Sequence, residues 1–423
     1  MSLERILAGV DAAVRRVLER ALEGRDVGVD DGVVLCGARG ASLHALAAAA
    51  DALRREQVGD TVGYVVNRNV NFTNVCVKAC RFCAFSRTRR SDEGYFLPTD
   101  EIVRRALEAQ AFGATEVCIQ AGLAPGVDAR FYVDLVRALK SAAPALDVHA
   151  FSPEEVKYAA TESGWPIRRV LEELRDAGLG SLPGTSAEVL DDRVRARIAP
   201  GRITTAEWID VVGTAHAVGL PTTSTIMYGH VETDPERVRH LDLLRSMQRE
   251  TGGFTEFVPL SFVHEEAPMT LRHQLPELRG GPTGDDVIRL YAIARLMLGN
   301  SIKNVQVSWV KDGMRQAQWL LSCGANDFGG TLINESISTS AGATHGQLQS
   351  PAALRRAIRD AGRVPLQRTT RYGVVRAFAA HAEPGEESPL DAVDDPDATF
   401  GSYEKLTRDE RFRFRLPVAP VTA

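Results

Sequence analysis

The stretch Tyr64-Val-Val-Asn-Arg-Asn-Val-Asn-Phe72 is followed, after three residues, by Cys76-Val-Lys-Ala-Cys80-Arg-Phe82-Cys83. Its first part is rich in β-branched and aromatic residues, which predicts a strand. The loop after it holds three of the 6 cysteines in a chain of 423 residues. A strand that ends in a cluster of thiols therefore defines both the first unit of the fold and the first candidate site.

The alternation of a strand with an amphipathic helix then repeats to about residue 330. The predicted strands lie at 64–72, 116–120, 147–151, 179–182, 222–227, 255–260, 304–308 and near 325–328. Helical patterns follow, for example at 99–111, 153–162, 206–218, 235–249, 285–298 and 311–321. Eight such units with right-handed crossovers predict an α/β fold, a (β/α)8 barrel of the TIM type. A doubly wound open sheet is the alternative.

Both ends of the chain differ from this pattern. Residues 1–60 contain helical periodicity without strands, which predicts a helical N-terminal extension before a barrel over 61–370. Residues 371–423 contain an acidic stretch around 381–395 and are expected to form a loosely packed tail.

The composition restricts the class of partner. Hydrophobic residues make up 44% and charged residues 25%, as in an ordinary folded protein. A net charge of -5 provides no overall basic field, so neither nucleic acid nor a membrane is expected as a partner. The chain contains no run of about twenty apolar residues, and its start lacks a signal-peptide core. These features predict a cytoplasmic protein that acts on small molecules.

A barrel of this type carries its catalytic groups in the loops after the strands. The cysteine loop obeys this rule, because it directly follows the first strand. Polar clusters follow other strands at Gln120-Ala-Gly122, Ser152-Pro-Glu154, Gly184-Thr185, Tyr228-Gly-His230, Ser261-Phe-Val-His264 and Asn326-Asp327. We expect these groups to converge at one mouth of the barrel.

Three neighbouring thiolates can bind zinc or an iron–sulfur cluster. Structural zinc requires four ligands, and the histidines closest in sequence, His44 and His149, lie far from the loop. A zinc-stabilised binding protein therefore needs a distant fourth ligand, but it remains an alternative. A 4Fe-4S cluster held by Cys76, Cys80 and Cys83 leaves one iron free. That iron can chelate the amine and carboxylate of S-adenosylmethionine, whose reductive cleavage gives a 5'-deoxyadenosyl radical.

Several residues near these strand ends are candidates to hold that cofactor. Phe82 and Phe85 flank Cys83 and could pack on adenine, although Phe85 could equally anchor the loop. A glycine after a strand lets the backbone approach a ligand, although it is more often only part of a turn. The predicted cofactor residues are Phe82, Phe85, Gln120, Gly122, Ser152, Glu154, Thr185, Glu188, Met227, Gly229 and Glu232.

The cysteine loop resembles that of the radical S-adenosylmethionine (radical SAM) superfamily, which has an aromatic residue before the last cysteine. Within that superfamily the chain is similar, over about residues 60–370, to the family of tyrosine-using FO synthase subunits. The similar blocks are Asn67-Arg-Asn-Val-Asn-Phe-Thr-Asn74, Gly184-Thr-Ser-Ala-Glu188, Thr225-Ile-Met-Tyr-Gly-His-Val-Glu-Thr233, Phe254-Thr-Glu-Phe-Val-Pro-Leu260 and Gly324-Ala-Asn-Asp-Phe-Gly-Gly-Thr331. One departure is Gln120-Ala121-Gly122, where the family usually has Gln-Gly-Gly. If Ala121 needed a positive φ, the placement of this contact would be in doubt.

The resemblance implies a 4Fe-4S cluster, S-adenosylmethionine, and transfer of a 4-hydroxybenzyl group from L-tyrosine to 5-amino-6-(D-ribitylamino)uracil in FO biosynthesis. It also implies a partner FO synthase activity and an electron donor such as ferredoxin or flavodoxin. Aminofutalosine synthase and dehypoxanthine futalosine cyclase are the alternatives, but they tend to carry an acidic Asp-Gly variant where this chain has Phe328-Gly329-Gly330. Polar or aromatic residues near strand ends are the predicted substrate contacts: Tyr228, His230, Glu256, His264, Trp309, Asn326, Asp327 and Glu335.

Overall fold

The centre of the molecule is a closed ring of parallel strands in the computed structural model, which describes residues 9–415. The strands of the ring are β1 (Thr61–Val65), β2 (Asn67–Val70), β3 (Glu116–Ile119), β4 (Asp147–Ala150), β5 (Thr222–Tyr228), β6 (Phe254–Ser261) and β7 (Asp327–Gly330). β2 pairs with β3, β3 with β4, β5 with β6, and β7 with β1, all in parallel. The predicted (β/α)8 barrel is confirmed.

β1 and β2 together form one of the eight ring positions, and two of the other seven positions are bridge pairs instead of full strands. Ser181 and Leu182 link β4 to β5, and Val305 and Gln306 link β6 to β7. Pro183 directly follows Leu182 and has no N–H to extend the ladder. The strands predicted at 179–182 and 304–308 therefore occupy their expected places in the ring, but in a much shortened form.

The first predicted strand, 64–72, begins earlier and is split in two. β1 lies between β7 and a further strand, β8 (Val364–Arg368), whereas β2 continues into the ring. Gly63 on β1 permits this arrangement, because a Cβ there would overlap a carboxylate oxygen of Asp327 and crowd Arg368. β8 then pairs antiparallel with β9 (Val374–Ala377).

Helices surround the ring and cover one end of it. They are α1 (Ala12–Leu22), α2 (Val29–Cys36), α3 (Ala41–Val58), α4 (Thr99–Ala111), α5 (Ala129–Ala142), α6 (Pro153–Ser163), α7 (Ile167–Asp176), α8 (Asp192–Ile198), α9 (Thr205–Ala217), α10 (Asp234–Thr251), α11 (Pro268–Leu271), α12 (Gly284–Leu298), α13 (Trp309–Leu320), α14 (Ile337–Ser340), α15 (Pro351–Asp360), α16 (Pro396–Phe400) and α17 (Tyr403–Thr407). Short 3-10 turns lie at Pro389–Ala392 and Glu410–Phe412. Within residues 9–415, no helix combines the length and apolar character needed to cross a bilayer.

The N-terminal helices pack on the barrel. α3 lies against α12, and α2 contacts both α10 and α12. Leu18, Leu35 and Leu46 are fully buried and join the same hydrophobic core as the barrel. Residues 1–8 and 416–423 of the predicted extensions lie outside the described residues, and the domain boundaries at 60 and 370 stay predictions.

The described part of the C-terminal segment is packed, contrary to the expectation of a loose tail. The Phe400 ring lies 5.0 Å from that of Phe112, and the Arg68 guanidinium lies 5.3 Å from the Phe400 centroid. Phe96 N–H donates to Phe412 O (2.7 Å) and Phe414 N–H to Gly94 O (2.8 Å). The aromatic residues are responsible, because their buried area outweighs the polarity of the acidic stretch between them.

Candidate active site

A cavity of about 410 Å³ opens at the carboxyl ends of the strands and extends into the barrel. On β3 its lining includes Glu116, Cys118 and Gln120, which span the strand from its first residue to one past its last. Residues at i, i+2 and i+4 of a strand share one face, so this face of β3 points along the cavity. Cys76, Cys80 and Cys83 border the same cavity.

The cysteine loop is held in place by backbone contacts. Cys76 N–H donates to Arg87 O (3.0 Å), Cys83 N–H to Cys80 O (3.2 Å), and Arg81 N–H to Ile198 O (2.8 Å). A Cβ on Gly122 would overlap the carbonyl oxygen of Val75, so this glycine lets the end of β3 approach the start of the loop. Contacts within the protein therefore hold the cysteine loop in place.

The thiols fit a cluster better than a single metal ion. Among residues 9–415, no three His, Cys, Asp or Glu side chains converge as a ligand set for one ion. In a cubane each thiolate binds a different iron, so its ligands stay further apart than those of zinc. Burial raises the pKa of the Cys80 thiol to about 12, and the nearby Arg202 opposes this rise. Thiols around a shared cavity, with a cation beside one of them, suit an anionic cluster.

Charged side chains near the cluster loop are fully paired, and we call Lys78, Glu154, Glu188 and Arg202 the paired half of the site. Arg202 donates to Glu154 (3.2 Å) and to Glu188 (3.1 Å), and its Nη1 lies 3.6 Å from Cys80 Sγ. Lys78 Nζ lies 3.4 Å from Glu154. Arg202 also lies over the Phe82 ring, 5.8 Å from its centroid. These contacts explain how Phe82, Glu154 and Glu188 come together with the cysteines.

The start of α6 joins this half to β3. Ser152 and Glu155 form a capping box, and Glu155 also accepts from Ala121 N–H (3.1 Å). Ala121 does not have a positive φ, so alanine in place of the family's glycine is tolerated. Thr185 donates to the side-chain oxygen of Gln120 (2.9 Å), which brings these two predicted residues into contact.

Backbone strain is concentrated around this half. Ser186 (φ 64°) and Glu188 (φ 40°) adopt positive φ values that side chains other than glycine rarely take. Such strain persists only where surrounding contacts enforce it. Here Arg195 enforces it, because its guanidinium donates to the carbonyl oxygens of Ser186 and Ala187 and to the Glu188 carboxylate.

The opposite side of the cavity holds a lysine and a glutamate that form no ion pair within residues 9–415, and we call Trp309, Lys311 and Glu335 the open half of the site. All three border the cavity. Trp309 Nε1–H donates to Gly330 O (2.9 Å), and Glu335 accepts only from the backbone N–H of Ser338 (3.0 and 3.2 Å). Burial raises the pKa of Glu335 and lowers that of Lys311.

The base of the cavity is closed by a buried ionic group. Arg368 on β8 donates to Asp327 (2.5 and 2.8 Å) and to Glu256 (3.3 Å), and Tyr372 OH donates to Glu256. Burial raises the pKa of Glu256 to about 7, and Arg368 opposes this rise. Gln306 Oε1 accepts from Arg368 (3.3 Å). A segment outside the ring therefore closes the barrel end that is remote from the cysteines.

Most predicted site residues border the cavity, but seven do not. Those that do are Cys76, Cys80, Cys83, Phe82, Phe85, Gln120, Gly122, Ser152, Glu154, Thr185, Glu188, Met227, Glu256, Trp309 and Glu335. Those that do not are Tyr228, Gly229, His230, Glu232, His264, Asn326 and Asp327.

The contacts of the residues outside the cavity explain their placement. On β5 the inward residues are Thr223, Thr225 and Met227, so Tyr228 faces the other side, where its OH lies 3.1 Å from Ser261 Oγ. The Glu232 carboxylate is occupied by Gly229 N–H (2.7 Å), His230 N–H (3.0 Å), Arg237 and Arg279.

The remaining outer residues have structural partners or face away. Asn326 accepts from Arg295 (2.7 Å) and from Val305 N–H (2.9 Å), and the Asp327 carboxylate belongs to the closure by Arg368. His264 is partly exposed next to Glu265. Asn326 precedes β7 and Asp327 is its first residue, so both lie at the amino end of that strand, whereas the cavity opens at the carboxyl ends.

Sequence reasoning missed several lining residues. They include Asn67, Asn69, Glu116, Cys118, His149, Glu155, Arg202, Gln306, Lys311 and Arg368. The alternation of side-chain direction along a strand could have identified some of them, because Glu116 and Cys118 share the face of Gln120. His149 Nδ1 lies 2.7 Å from Ser181 Oγ, and the His149 side chain borders the cavity. Arg202 lies in a loop between two helices, and Arg368 ends β8, which lies outside the ring. No local sequence pattern marks either residue as part of the site.

The chain matches two family models. Residues 70–244 match the model of the radical SAM superfamily, and residues 251–381 match that of the CofH/MqnC C-terminal region. The cysteine loop lies in the first region, and the open half of the site lies in the second.

The chain is also similar to curated proteins named 5-amino-6-(D-ribitylamino)uracil–L-tyrosine 4-hydroxyphenyl transferase, and to FO synthase. The protein from Methanothermobacter thermautotrophicus is 47% identical over 86% of this chain and 98% of its own length. That from Archaeoglobus fulgidus is 50% identical over 77% of this chain and 92% of its own length. FO synthase of Mycobacterium tuberculosis is 48% identical over 88% of this chain, but the match spans 43% of that longer protein.

Solved structures with low sequence identity share the fold. Methylornithine synthase superposes with a TM-score of 0.66 at 17% identity, covering 83% of this chain and 97% of its own. The FeFe-hydrogenase maturase from Carboxydothermus hydrogenoformans gives a TM-score of 0.64 at 13% identity, covering 88% and 86%. These likenesses support the barrel architecture alone.

Proposed function

Because this chain belongs to the radical SAM family of 5-amino-6-(D-ribitylamino)uracil–L-tyrosine 4-hydroxyphenyl transferases, we propose that it performs this transfer. The Cα–Cβ bond of L-tyrosine breaks after hydrogen abstraction from its amine, the 4-hydroxybenzyl group is joined to C5 of the uracil in FO biosynthesis, and the rest of the amino acid leaves as 2-iminoacetate. The observation that carries the proposal is a single one. Three cysteines of the radical SAM region and polar residues of the CofH/MqnC region border one cavity.

The chain's own residues bind, orient and shield in this reaction. When bound, a 4Fe-4S cluster with S-adenosylmethionine supplies the radical that starts the reaction. Cys76, Cys80 and Cys83 would hold the cluster, and the paired half would position the amino-acid and ribose groups of the cofactor. Burial within the barrel keeps water and stray hydrogen donors away from the reacting carbon atoms.

The uracil substrate finds matching groups deeper in the cavity. Asn67 donates to Glu116 (2.8 Å), and both border the cavity together with Gln306. Amide and carboxylate groups provide the donors and acceptors that a pyrimidine edge needs. We propose that this deeper region holds the ring, with the ribityl chain directed towards the mouth.

Two protein partners complete the proposal. The reaction needs a one-electron donor, and a ferredoxin or flavodoxin has the required chemistry. The product then passes to a second FO synthase activity that closes the deazaflavin ring. This is supported by the FO synthase relative, of which the match to this chain spans only 43%. We also propose a cytoplasmic location, where these reductants occur.

The test uses anaerobically reconstituted full-length enzyme with S-adenosylmethionine, a chemical reductant, L-tyrosine and 5-amino-6-(D-ribitylamino)uracil. We expect deoxyadenosine together with a hydroxybenzyl–uracil adduct, both measured by mass spectrometry. A parallel reaction contains the enolpyruvyl-benzoate substrate of aminofutalosine synthase. Product in that reaction alone would replace the proposed function by the futalosine alternative.

A further inference from the structure

We propose that Lys311 binds the α-carboxylate of the amino-acid substrate and that Glu335 accepts its ammonium group. This inference rests on the proposed function, because it takes tyrosine as that substrate. It assigns a specificity site to two side chains of the open half.

Four lysine or arginine residues border the cavity among the described residues, and three of them are already paired. Lys78 and Arg202 bind Glu154, and Arg368 binds Asp327 and Glu256. The Lys311 ammonium group forms no hydrogen bond or ion pair with any residue in 9–415, although its side chain borders the cavity. A carboxylate ligand that enters this cavity therefore has one uncommitted cation to meet.

Lys311 is fixed in place, even though its ammonium group is free. The turn that carries it is anchored by Trp309 Nε1–H, which donates to Gly330 O (2.9 Å), and by Asp312, which accepts from Ser261 Oγ–H (2.5 Å). Gly313 then breaks the helical geometry with φ 78° and ψ 156°. The Lys311 side chain is half-buried in the cavity wall, so a ligand that fills the cavity would remove water from its ammonium group, which is costly unless the ligand pairs with it. Such an arrangement is expected where a ligand supplies the missing charge.

Glu335 is placed to complete a zwitterion site. It follows β7, whereas Lys311 follows the neighbouring ring position at 305–306, so the two residues lie on adjacent loops. Burial lowers the pKa of Lys311, and the nearby carboxylates of Glu335 and Asp312 oppose this fall, but the Lys311 and Glu335 side chains form no ion pair. An ammonium and a carboxylate held apart in this way match the two charges of an amino acid. Nearby apolar lining from Leu260, Phe262 and Ile337 suits an aromatic ring.

The uracil is a poorer occupant of this place. Its carbonyl groups carry no net charge and would leave the Lys311 ammonium uncompensated. Neutral donors and acceptors are available instead around Asn67 and Gln306. The charge pattern therefore assigns the amino acid to the open half and the pyrimidine to the deeper region.

The experiment measures equilibrium binding of radiolabelled L-tyrosine and of tyramine, which lacks the carboxylate, to the anaerobic holoenzyme with S-adenosylmethionine. For Lys311→Met we expect tyrosine affinity to fall about 100-fold, or about 2.8 kcal/mol at 1.4 kcal/mol per tenfold, with tyramine affinity unchanged within about twofold. Lys311→Arg should lose about tenfold, because it keeps the charge but changes the geometry. Lys303→Met, at an exposed lysine just before the ring position at 305–306, should change neither affinity.

Two further measurements separate binding from a structural role. Glu335→Gln should weaken tyrosine binding but leave 3-(4-hydroxyphenyl)propanoate, which lacks the ammonium group, unaffected. Lys311→Met should melt at the same or a higher temperature than the wild type, since it removes a half-buried charge that has no ion-pair partner within residues 9–415.

Retained tyrosine affinity in Lys311→Met, an equal loss for tyramine, or a lowered melting temperature would each overturn this inference. A loss that affects the uracil substrate instead of tyrosine would do so as well. The proposed function fails separately, if the wild-type enzyme binds no tyrosine and forms no adduct.

Discussion

The two halves of the cavity differ in how their charges are satisfied. In the paired half, Arg202 joins Glu154 and Glu188 within 3.2 Å, so the charges balance without any ligand. In the open half, Lys311 and Glu335 face the same space without joining. A cofactor that is bound in every turnover suits a site that is rigid beforehand, because preorganisation reduces the cost of ordering. A substrate site can leave its charges open, since the substrate completes them.

The largest effect is expected from a substitution that removes the cluster itself. In Cys80→Ala we expect the brown cluster absorbance to disappear and deoxyadenosine formation to fall to background, because one iron loses its protein ligand. Iron content and deoxyadenosine yield are the measurements. Cys323→Ala is the control, since Cys323 is buried in the core, does not border the cavity, and its thiol donates a hydrogen bond to Trp319 O (3.6 Å). A coloured, active Cys80→Ala protein, or a colourless wild type with one zinc per chain, would contradict the cluster assignment.

Breaking the paired half should be costly in stability. Arg202→Met leaves the buried carboxylates of Glu154 and Glu188 short of a partner, so we expect a loss of about 3–5 kcal/mol in unfolding free energy. Urea denaturation measures it. Arg193→Met is the matched control on a nearby helix, because the Arg193 side chain is 79% exposed and its ion pair should contribute about 1 kcal/mol or less. Equal losses in both variants would argue against a distinct paired half. So would an Arg202→Met loss no greater than that of Lys311→Met.

The paired half should also weaken in acid through a neutral histidine behind it. His240 on α10 accepts from Leu190 N–H (3.0 Å) and donates to Thr225 O (3.0 Å), and burial lowers its pKa from 6.5 to about 3. The unfolded chain therefore takes up a proton first as the pH falls. The contribution of neutral His240 to the unfolding free energy is complete well above pH 6.5. It declines below that pH by about 1.4 kcal/mol per pH unit, so that about 2.7 kcal/mol is lost at pH 4.5.

Unfolding free energies of wild type and His240→Gln between pH 7 and 4.5 test this dependence. The variant should have a slope that is shallower by nearly one proton, since glutamine does not titrate. His44→Gln, at an exposed histidine, should keep the wild-type slope. Parallel curves for wild type and His240→Gln would refute the role of His240.

The smallest expected effect concerns the C-terminal segment that braces the cysteine loop. The Tyr403 ring lies 5.4 Å from that of Phe85, and Tyr403 OH accepts from Asn74 (3.3 Å). We expect Tyr403→Ala to cost about 1–2 kcal/mol and Tyr403→Phe less than about 1 kcal/mol, because the ring contact outweighs the hydroxyl. Thermal melting and the rate of cluster loss in air are the measurements. A larger cost for Tyr403→Phe than for Tyr403→Ala would reverse this assignment.

Much of the fold could be predicted, because its signals are local. Strand and helix alternation gave eight ring positions, and even the two reduced to bridges, near Ser181 and Val305, were placed correctly. The failures concern long-range contacts. The split between β1 and β2 depends on Arg368 crossing from β8, and the packed C-terminal segment depends on distant aromatic partners. No pattern within the 61–72 segment contains that information.

The candidate site divides in the same way. Cysteine spacing pointed to the cluster loop, but polar residues after strands were mixed in their placement, as Glu256 and Tyr228 illustrate. The inward face of each strand alternates with period two, so one residue of error moves a side chain out of the cavity.

The sequence by itself determined that three cysteines follow the first strand of a barrel, because spacing and periodicity are properties of neighbouring residues. Only the tertiary structure decided which charges are already paired. Arg202 meets Glu154 across 48 positions and Arg368 meets Glu256 across 112, whereas the Lys311 ammonium group forms no ion pair within residues 9–415. Electrostatic pairing depends on distance in space, which the ring closure sets, and that is why the open half became visible only in the folded chain.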